Sequence, residues 1–234
     1  MVDELRKNFR DVGAAIDGLL AQRASAAAES GSPIANASVF PRGRLLRCGR
    51  VDFCTLEELG SPRSIINLRI DADEFPAGYL EAGGCVALHC AAEDKVEKYD
   101  TSQHCVRLWI VSVLKHFECA DALPALVHCK HGRDRTGIIV AALLAICDVP
   151  TALIRSEYML SEGSRADLFE LTLAGFGLVA KPAIAGPGPS QKSRRGDQFT
   201  PPAHSSDAMR TYLRGLVDVD KIRQTLLHNP DGSM

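Results

Sequence analysis

The sequence predicts an α/β fold, with a central, mostly parallel sheet of about four to five strands flanked by helices. Two observations predict it. Short apolar runs of strand length occur at residues 44–48, 64–68, 85–88 and 125–128. Longer segments with helical spacing lie between and around them, and strands alternating with helices imply parallel crossovers.

The elements follow in order. Residues 9–20 read as a helix, with Phe9, Val12, Ile16, Leu19 and Leu20 on one face. Residues 21–38 are rich in Ala and Ser and contain Gly31 and Pro33, the pattern of a fraying helix end and a loop. Thr55 is placed to cap a short helix carrying Leu56 and Leu59. Residues 101–120 read as one long helix whose Val106, Ile110, Val113, Leu114 and Phe117 face a core, with Trp109 at the border. Residues 136–147 form a helix apolar enough to be buried on most sides, and 151–160 form another. Four large domain segments result: an N-terminal helix and loop over 1–38, a core over 39–180, a Pro- and Gly-rich flexible linker over 181–206, and a C-terminal helix over 207–234 that docks on the core.

Bulk properties narrow the function. The net charge of −2 gives no global field for nucleic acid or an anionic membrane, so anion recognition must be local. None of the 8 cysteines forms a Cys-x-x-Cys pair, which disfavours a zinc ribbon or a thioredoxin-like site. The longest apolar stretch, 138–147, is too short to span a bilayer, and the charged N-terminus lacks a signal core. The expectation is a cytoplasmic protein with reduced thiols, no stable membrane insertion and no nucleic-acid partner.

The chemistry concentrates in residues 128–137, His-Cys-Lys-His-Gly-Arg-Asp-Arg-Thr-Gly. A short strand delivers Cys129 at its carboxyl end, where open α/β sheets bind ligands. Arg135 follows six residues later, at the start of an apolar helix. The residues between can curl so that their N–H groups converge on a tetrahedral anion, aided by the helix N-terminus. Gly132 permits a backbone conformation that a Cβ opposes. The same field favours the nucleophilic thiolate of Cys129. Arg135 can hold two phosphoryl oxygens and stabilise charge in the transition state. Thr136 can donate to the departing sulfur, and His128 orders the loop. Lys130, His131 and Arg133 complete a phosphate-binding set. The loop supplies the positive charge itself, so no cofactor and no metal are expected.

With these residues in hand, the chain resembles the protein tyrosine phosphatase superfamily, in its atypical microbial and fungal branch. Three segments carry the likeness: residues 8–13 (Asn-Phe-Arg-Asp-Val-Gly); residues 43–50 (Gly-Arg-Leu-Leu-Arg-Cys-Gly-Arg) with 65–69 and Glu74; and the loop 128–137 with Glu157 to Ser161. Cys48, Asn67 and His131 depart from the usual pattern. The resemblance implies a cysteine-phosphatase-like fold and hydrolysis of phosphate monoesters through a phosphocysteine. There is no Trp-Pro-Asp loop, so the leaving-group acid must be found elsewhere. Relatives with a Lys-Asp-Arg loop point to Asp134; Asp94, in the segment after the third strand, is the alternative, with Asp100 behind it. The dense cations admit two substrate classes, a phosphotyrosine protein or a phosphoinositide or inositol phosphate, so dual specificity is expected. Two other readings stand beside this one: a phospho-binding pseudophosphatase and a rhodanese-like sulfurtransferase. Arg10 and Asp11 are candidate loop-ordering partners, Arg69 is expected to pair with Glu74, and Cys48 is a candidate disulfide partner of Cys129.

Overall fold

The computed structural model describes residues 6–30, 40–52, 54–181 and 199–228. Most of the expected linker, at 182–198, and the loop at 31–38 lie outside the described residues. Five strands form one sheet: β1 (Arg10–Asp11), β2 (Leu45–Cys48), β3 (Ser64–Asn67), β4 (Val86–His89) and β5 (Ala125–His128). Their order is β1-β2-β5-β3-β4; β1 runs antiparallel to β2 and the other pairs are parallel. The fold is the α/β class expected. The two-residue β1 lies inside the stretch read as helix, because Asp11 accepts a hydrogen bond from the Ala14 amide and so caps the helix one residue after Arg10.

β2, β3 and β5 are buried along their whole length, the state that continuous Leu, Ile and Val runs require between helical layers. Their register places Cys48, His128, Asn67 and His89 in one row. All parallel strands therefore end together, and the chain leaves β5 into the Cys129 loop at that shared edge.

The helices are α1 (Val12–Ser30), α2 (Tyr79–Ala82), α3 (His104–Leu114), α4 (Asp134–Ile146), α5 (Thr151–Met159), α6 (Ala166–Gly175), α7 (Ser205–Leu213) and α8 (Val219–Leu227). α4 is buried from Arg135 to Ile146, as its all-round apolar sequence demands. The expected 101–120 helix is shorter, and short 3-10 turns continue it from Lys115 to Ala122. Thr55 and Glu58 form a reciprocal capping pair, but only a turn follows. The expected helix at 207–227 is two helices, broken where Arg214 and Gly215 take φ of 51° and 72°. α6 has no counterpart in the sequence reading.

The C-terminal pair docks on the same core as α4. Met209, Leu213, Ile222 and Leu226 are fully buried in one cluster with Leu143 and Ile146. Ile222→Ala is therefore expected to lower unfolding free energy by about 2–5 kcal/mol. Urea denaturation would show this as a reduced midpoint with an unchanged slope, and a midpoint equal to wild type would refute the docking.

Candidate active site

A buried ion cluster holds the loop from beneath. Arg47 is the only charge in the apolar run of β2, and its side chain is 0% exposed. Its Nη1 donates to Glu157 Oε2 at 2.6 Å, and its Nη2 donates to the Gly132 carbonyl at 2.6 Å. Arg10 donates from Nε to the other oxygen of Glu157 at 2.8 Å and from Nη2 to Ser161 Oγ at 2.9 Å. Burial, followed by the nearby Arg47, pulls the Arg10 guanidinium down to about 10, so it stays charged at neutral pH. Asn8 completes the floor: its Nδ2 donates to the His131 carbonyl and its Oδ1 accepts from the Glu162 amide, both at 2.8 Å. The three segments quoted from the sequence thus meet under one loop. The individual duties of Arg47, Glu157 and Asn8 escaped the sequence reading; the signal was a lone arginine in an otherwise apolar strand, which needs a buried carboxylate.

The loop itself turns back on the sheet. Gly132 has φ of 64°, and a Cβ there would lie 2.3 Å from the Cys48 carbonyl carbon and 2.5 Å from the Gly49 amide nitrogen. The amides of residues 130–136 donate to no oxygen acceptor among the described residues, while the Gly137 amide returns to the Arg133 carbonyl. These are the orphan donors that a curled loop and the first turn of a helix leave for an anion. Arg135 is seated by two carbonyls: its Nη1 donates to Leu68 and Ala92, each at 3.0 Å. Its Nε is buried without a partner among the described residues, and so is the Thr136 hydroxyl.

Residues 4–176, which include the Cys129 loop, are matched by a family model described as the tyrosine phosphatase family. The chain belongs to the tyrosine phosphatase family. It is a phosphatase, a hydrolase of phosphoric monoesters. Comparison with curated proteins finds no match. Similar solved structures include the core catalytic domain of the PP-IP phosphatase SIW14 from S. cerevisiae, at 17% identity and a TM-score of 0.45, covering 60% of this chain and 86% of that one. TpbA from P. aeruginosa aligns at 17% identity and a TM-score of 0.41, covering 80% of this chain and 88% of that one.

A cavity of about 400 Å³ opens beside the phosphatase loop, lined by Arg50, Arg69, Ile70, Asp71, Asp94, Lys130 and Arg135. Cys129 is 2% exposed and is not on the cavity wall; its neighbour Lys130 and Arg135 are. His128 is fully buried and its Nε2 meets Asp73 Oδ2 at 2.8 Å. His131 is exposed; burial, then Arg133 and Lys130, lower its pKa, so it is not a fixed cation. Arg133 departs from the expected phosphate-binding role. Its Nε and Nη2 donate to Asp134 at 2.8 and 3.0 Å and its Nη1 to the Gly163 carbonyl at 2.8 Å, so the fork is occupied away from the cavity.

The same contacts argue against Asp134 as the acid. Both of its oxygens are taken, by Arg133 and by the Tyr99 hydroxyl, and it is absent from the cavity wall. Against the upward push of burial, those bonds hold its carboxyl below the usual range. Asp94 does reach the cavity, 3.5 Å from Arg135 and 2.8 Å from Lys98. Asp100 caps the turn at Ser102 instead. Arg69 pairs with Asp52 and Asp73 rather than Glu74. Cys48 is fully buried, its thiol donating to the Gly49 carbonyl, and burial pushes its pKa well up. No cluster of three metal-ligating side chains occurs among the described residues, and no described helix is long and apolar enough to cross a membrane.

Two outcomes follow. Gly132→Ala forces the loop off Cys48 and is expected to cut kcat/KM by about 100-fold or more, since misplacing a site by 1 Å has that cost; a variant with wild-type kinetics would refute the close approach. Asp134 has a folded pKa below its unfolded value, so its contribution is present above about pH 4 and is lost as pH falls through the folded value. Asp134→Asn should therefore destabilise the protein at neutral pH, with the gap to wild type closing in acid. Urea titrations at a series of pH values would reveal a constant gap if this were wrong.

Proposed function

We propose that the protein hydrolyses phosphate monoesters through a phosphocysteine on Cys129, with Asp94 as the general acid. The observation that carries this reading is the joint presence, at one loop, of amides at 130–136 that are unpaired among the described residues, the seated Arg135 and the strand-end Cys129. The amides and Arg135 bind three phosphoryl oxygens of the dianion. The Cys129 sulfur attacks phosphorus, the S–P bond forms, and the P–O bond to the alcohol or phenol breaks. Asp94 donates the proton that the leaving oxygen takes. Water then attacks the phosphocysteine with Asp94 as base, the S–P bond breaks, and inorganic phosphate leaves. The unpartnered Thr136 hydroxyl is the donor available to the departing thiolate.

Asp94 is preferred over Asp134 on geometry. It is 45% exposed, lies on the cavity wall and sits across from Arg135, where a leaving oxygen would point. Against the push of burial, its bond to Lys98 and the charge of Arg135 hold its pKa below the usual carboxylate range. Only a small fraction of the free enzyme therefore carries the proton at neutral pH. Substrate classes remain those with an accessible monoester, on a protein tyrosine or on an inositol ring. Membership of the tyrosine phosphatase family counts against sulfur transfer, and a complete Cys129, Arg135 and Thr136 set counts against a binding-only role.

Cys129→Ser is expected to abolish phosphate release from para-nitrophenyl phosphate, and retained turnover would overturn the nucleophile. Asp94→Asn should lower kcat by about 10²–10⁴ with phenyl phosphate, and by less as the leaving group becomes less basic. In wild type kcat/KM should fall as pH rises through neutrality, and Asp94→Asn should flatten that limb. A variant that keeps the wild-type pH profile would rule Asp94 out.

A further inference from the structure

The cavity is larger than one phosphate requires. At about 400 Å³ it has room for more than a dozen waters at roughly 30 Å³ each. A phosphate group has only five heavy atoms. The remaining wall carries two arginines that do not belong to the loop. Arg50 Nε and Arg69 Nη1 both donate to the same oxygen of Asp52, at 2.7 and 3.0 Å. One carboxylate thus holds two guanidiniums side by side. Against the push of burial, those two arginines keep Asp52 below the usual carboxylate range. The Nη1 and Nη2 groups of Arg50, and Nε and Nη2 of Arg69, make no hydrogen bond among the described residues. The exposed Lys130 ammonium has no ion-pair partner among them either.

We propose that Arg50, Arg69 and Lys130 form a second phosphate subsite, so that the preferred substrate is a hydroxyl-bearing ring with two phosphate groups on neighbouring positions. The proposal rests on the phosphatase reading above and adds the residues that select the substrate. Planar guanidiniums held in fixed orientation recognise phosphate by paired N–H donors, which a mobile lysine alone does not do. Arg69 is held again by Asp73, at 3.5 Å, and the other oxygen of Asp73 meets His128, the residue before Cys129. The second phosphate is therefore bound by a group tied mechanically to the nucleophile's strand. The rest of the rim fits a polyol. Ile70, 59% exposed, offers an apolar face to ring carbons, and the exposed carboxylate of Asp71 accepts hydrogen bonds from ring hydroxyls while repelling a third phosphate on that side.

The test compares kcat/KM for inositol 4,5-bisphosphate, inositol 1-phosphate, a phosphotyrosyl peptide and a short-chain phosphatidylinositol 4,5-bisphosphate. Arg50 is 45% exposed, so its truncation does not threaten folding. Wild type should favour the bisphosphate over the monophosphate and the peptide. Arg50→Ala should reduce the bisphosphate-to-monophosphate ratio by about tenfold, with Arg50→Lys restoring only part of it. The same ratio for the headgroup and its short-chain lipid supports a subsite that reads phosphates alone, and a higher efficiency with either one supports the subsite and identifies the source. A wild type that treats bisphosphate and monophosphate alike, or that prefers the peptide, overturns the proposal. So does an Arg50→Ala enzyme slowed equally on both. Failure of the phosphatase reading is seen separately, as absence of phosphate release from para-nitrophenyl phosphate by wild type or its survival in Cys129→Ser.

Discussion

Glu157 lies 1% exposed between two arginines, Arg10 and Arg47, and everything at the catalytic edge leans on that arrangement. An isolated buried charge costs several kcal/mol, and a well-bonded pair recovers much of that cost. Here the hydrogen bonds are aimed in a particular direction. Arg47 spends one arm on Glu157 and another on the Gly132 carbonyl, so the cluster stabilises the fold only when the loop is curled. A swap to well-packed apolar residues could keep the protein folded and still lose the curl. The cluster is better understood as a device for specifying one loop conformation than as a source of stability.

The curled loop in turn carries an electrostatic debt that substrate can relieve. Among the described residues, seven successive ones, 130–136, have amides without oxygen acceptors, and the buried Arg135 Nε and Thr136 hydroxyl lack partners too. Orphan buried donors are rare in folded proteins because each costs stability. Their clustering at the N-terminus of α4 fits the proposed dianion site, which would need little reorganisation when charge shifts during reaction. Asp94, the proposed acid, sits at the edge of this field, where the charge of Arg135 reaches it. Asp94 lies 3.5 Å from Arg135, on a segment whose Ala92 carbonyl accepts from the same arginine and whose Lys98 bonds Asp94 in turn.

How much of this was legible depended on distance along the chain. The Cys129 loop could be read because its requirements are local: strand end, cysteine, glycine, arginine and helix start fall within about ten residues. Side-chain directions around it could not. Asp134 looks close to Arg135 in sequence, but successive residues of a helix face different ways, and Asp134 turns to Tyr99 while Arg135 turns to Leu68 and Ala92. Arg133 looked like a phosphate ligand until Gly163, thirty residues on, was seen to hold it. The cavity cation Arg50 was quoted only as part of a motif and Arg69 was assigned to Glu74, since nothing local reveals that Asp52 binds both. The break at Arg214 and Gly215 was missed because one glycine inside a periodic stretch is often tolerated.

The family match ends at residue 176, yet the core does not. α4 is apolar on every side and must be covered on every side. The sheet, α3 and α5 cover part of it; α7 and α8 cover the rest, placing Met209, Leu213, Ile222 and Leu226 in the same cluster. This cover also reaches the chemistry. Tyr212 of α7 donates to the Thr101 carbonyl, Thr101 donates to the Thr172 carbonyl of α6, and Thr172 donates to the carbonyl of Tyr99. Tyr99 then bonds Asp134 at the first turn of α4 and follows directly after Lys98, the partner of Asp94. The C-terminal helices thus brace both the Cys129 loop and the segment that carries Asp94. Losing them would expose an apolar face of α4 and loosen Tyr99 at once, so stability and catalytic geometry in this phosphatase are coupled through one helix.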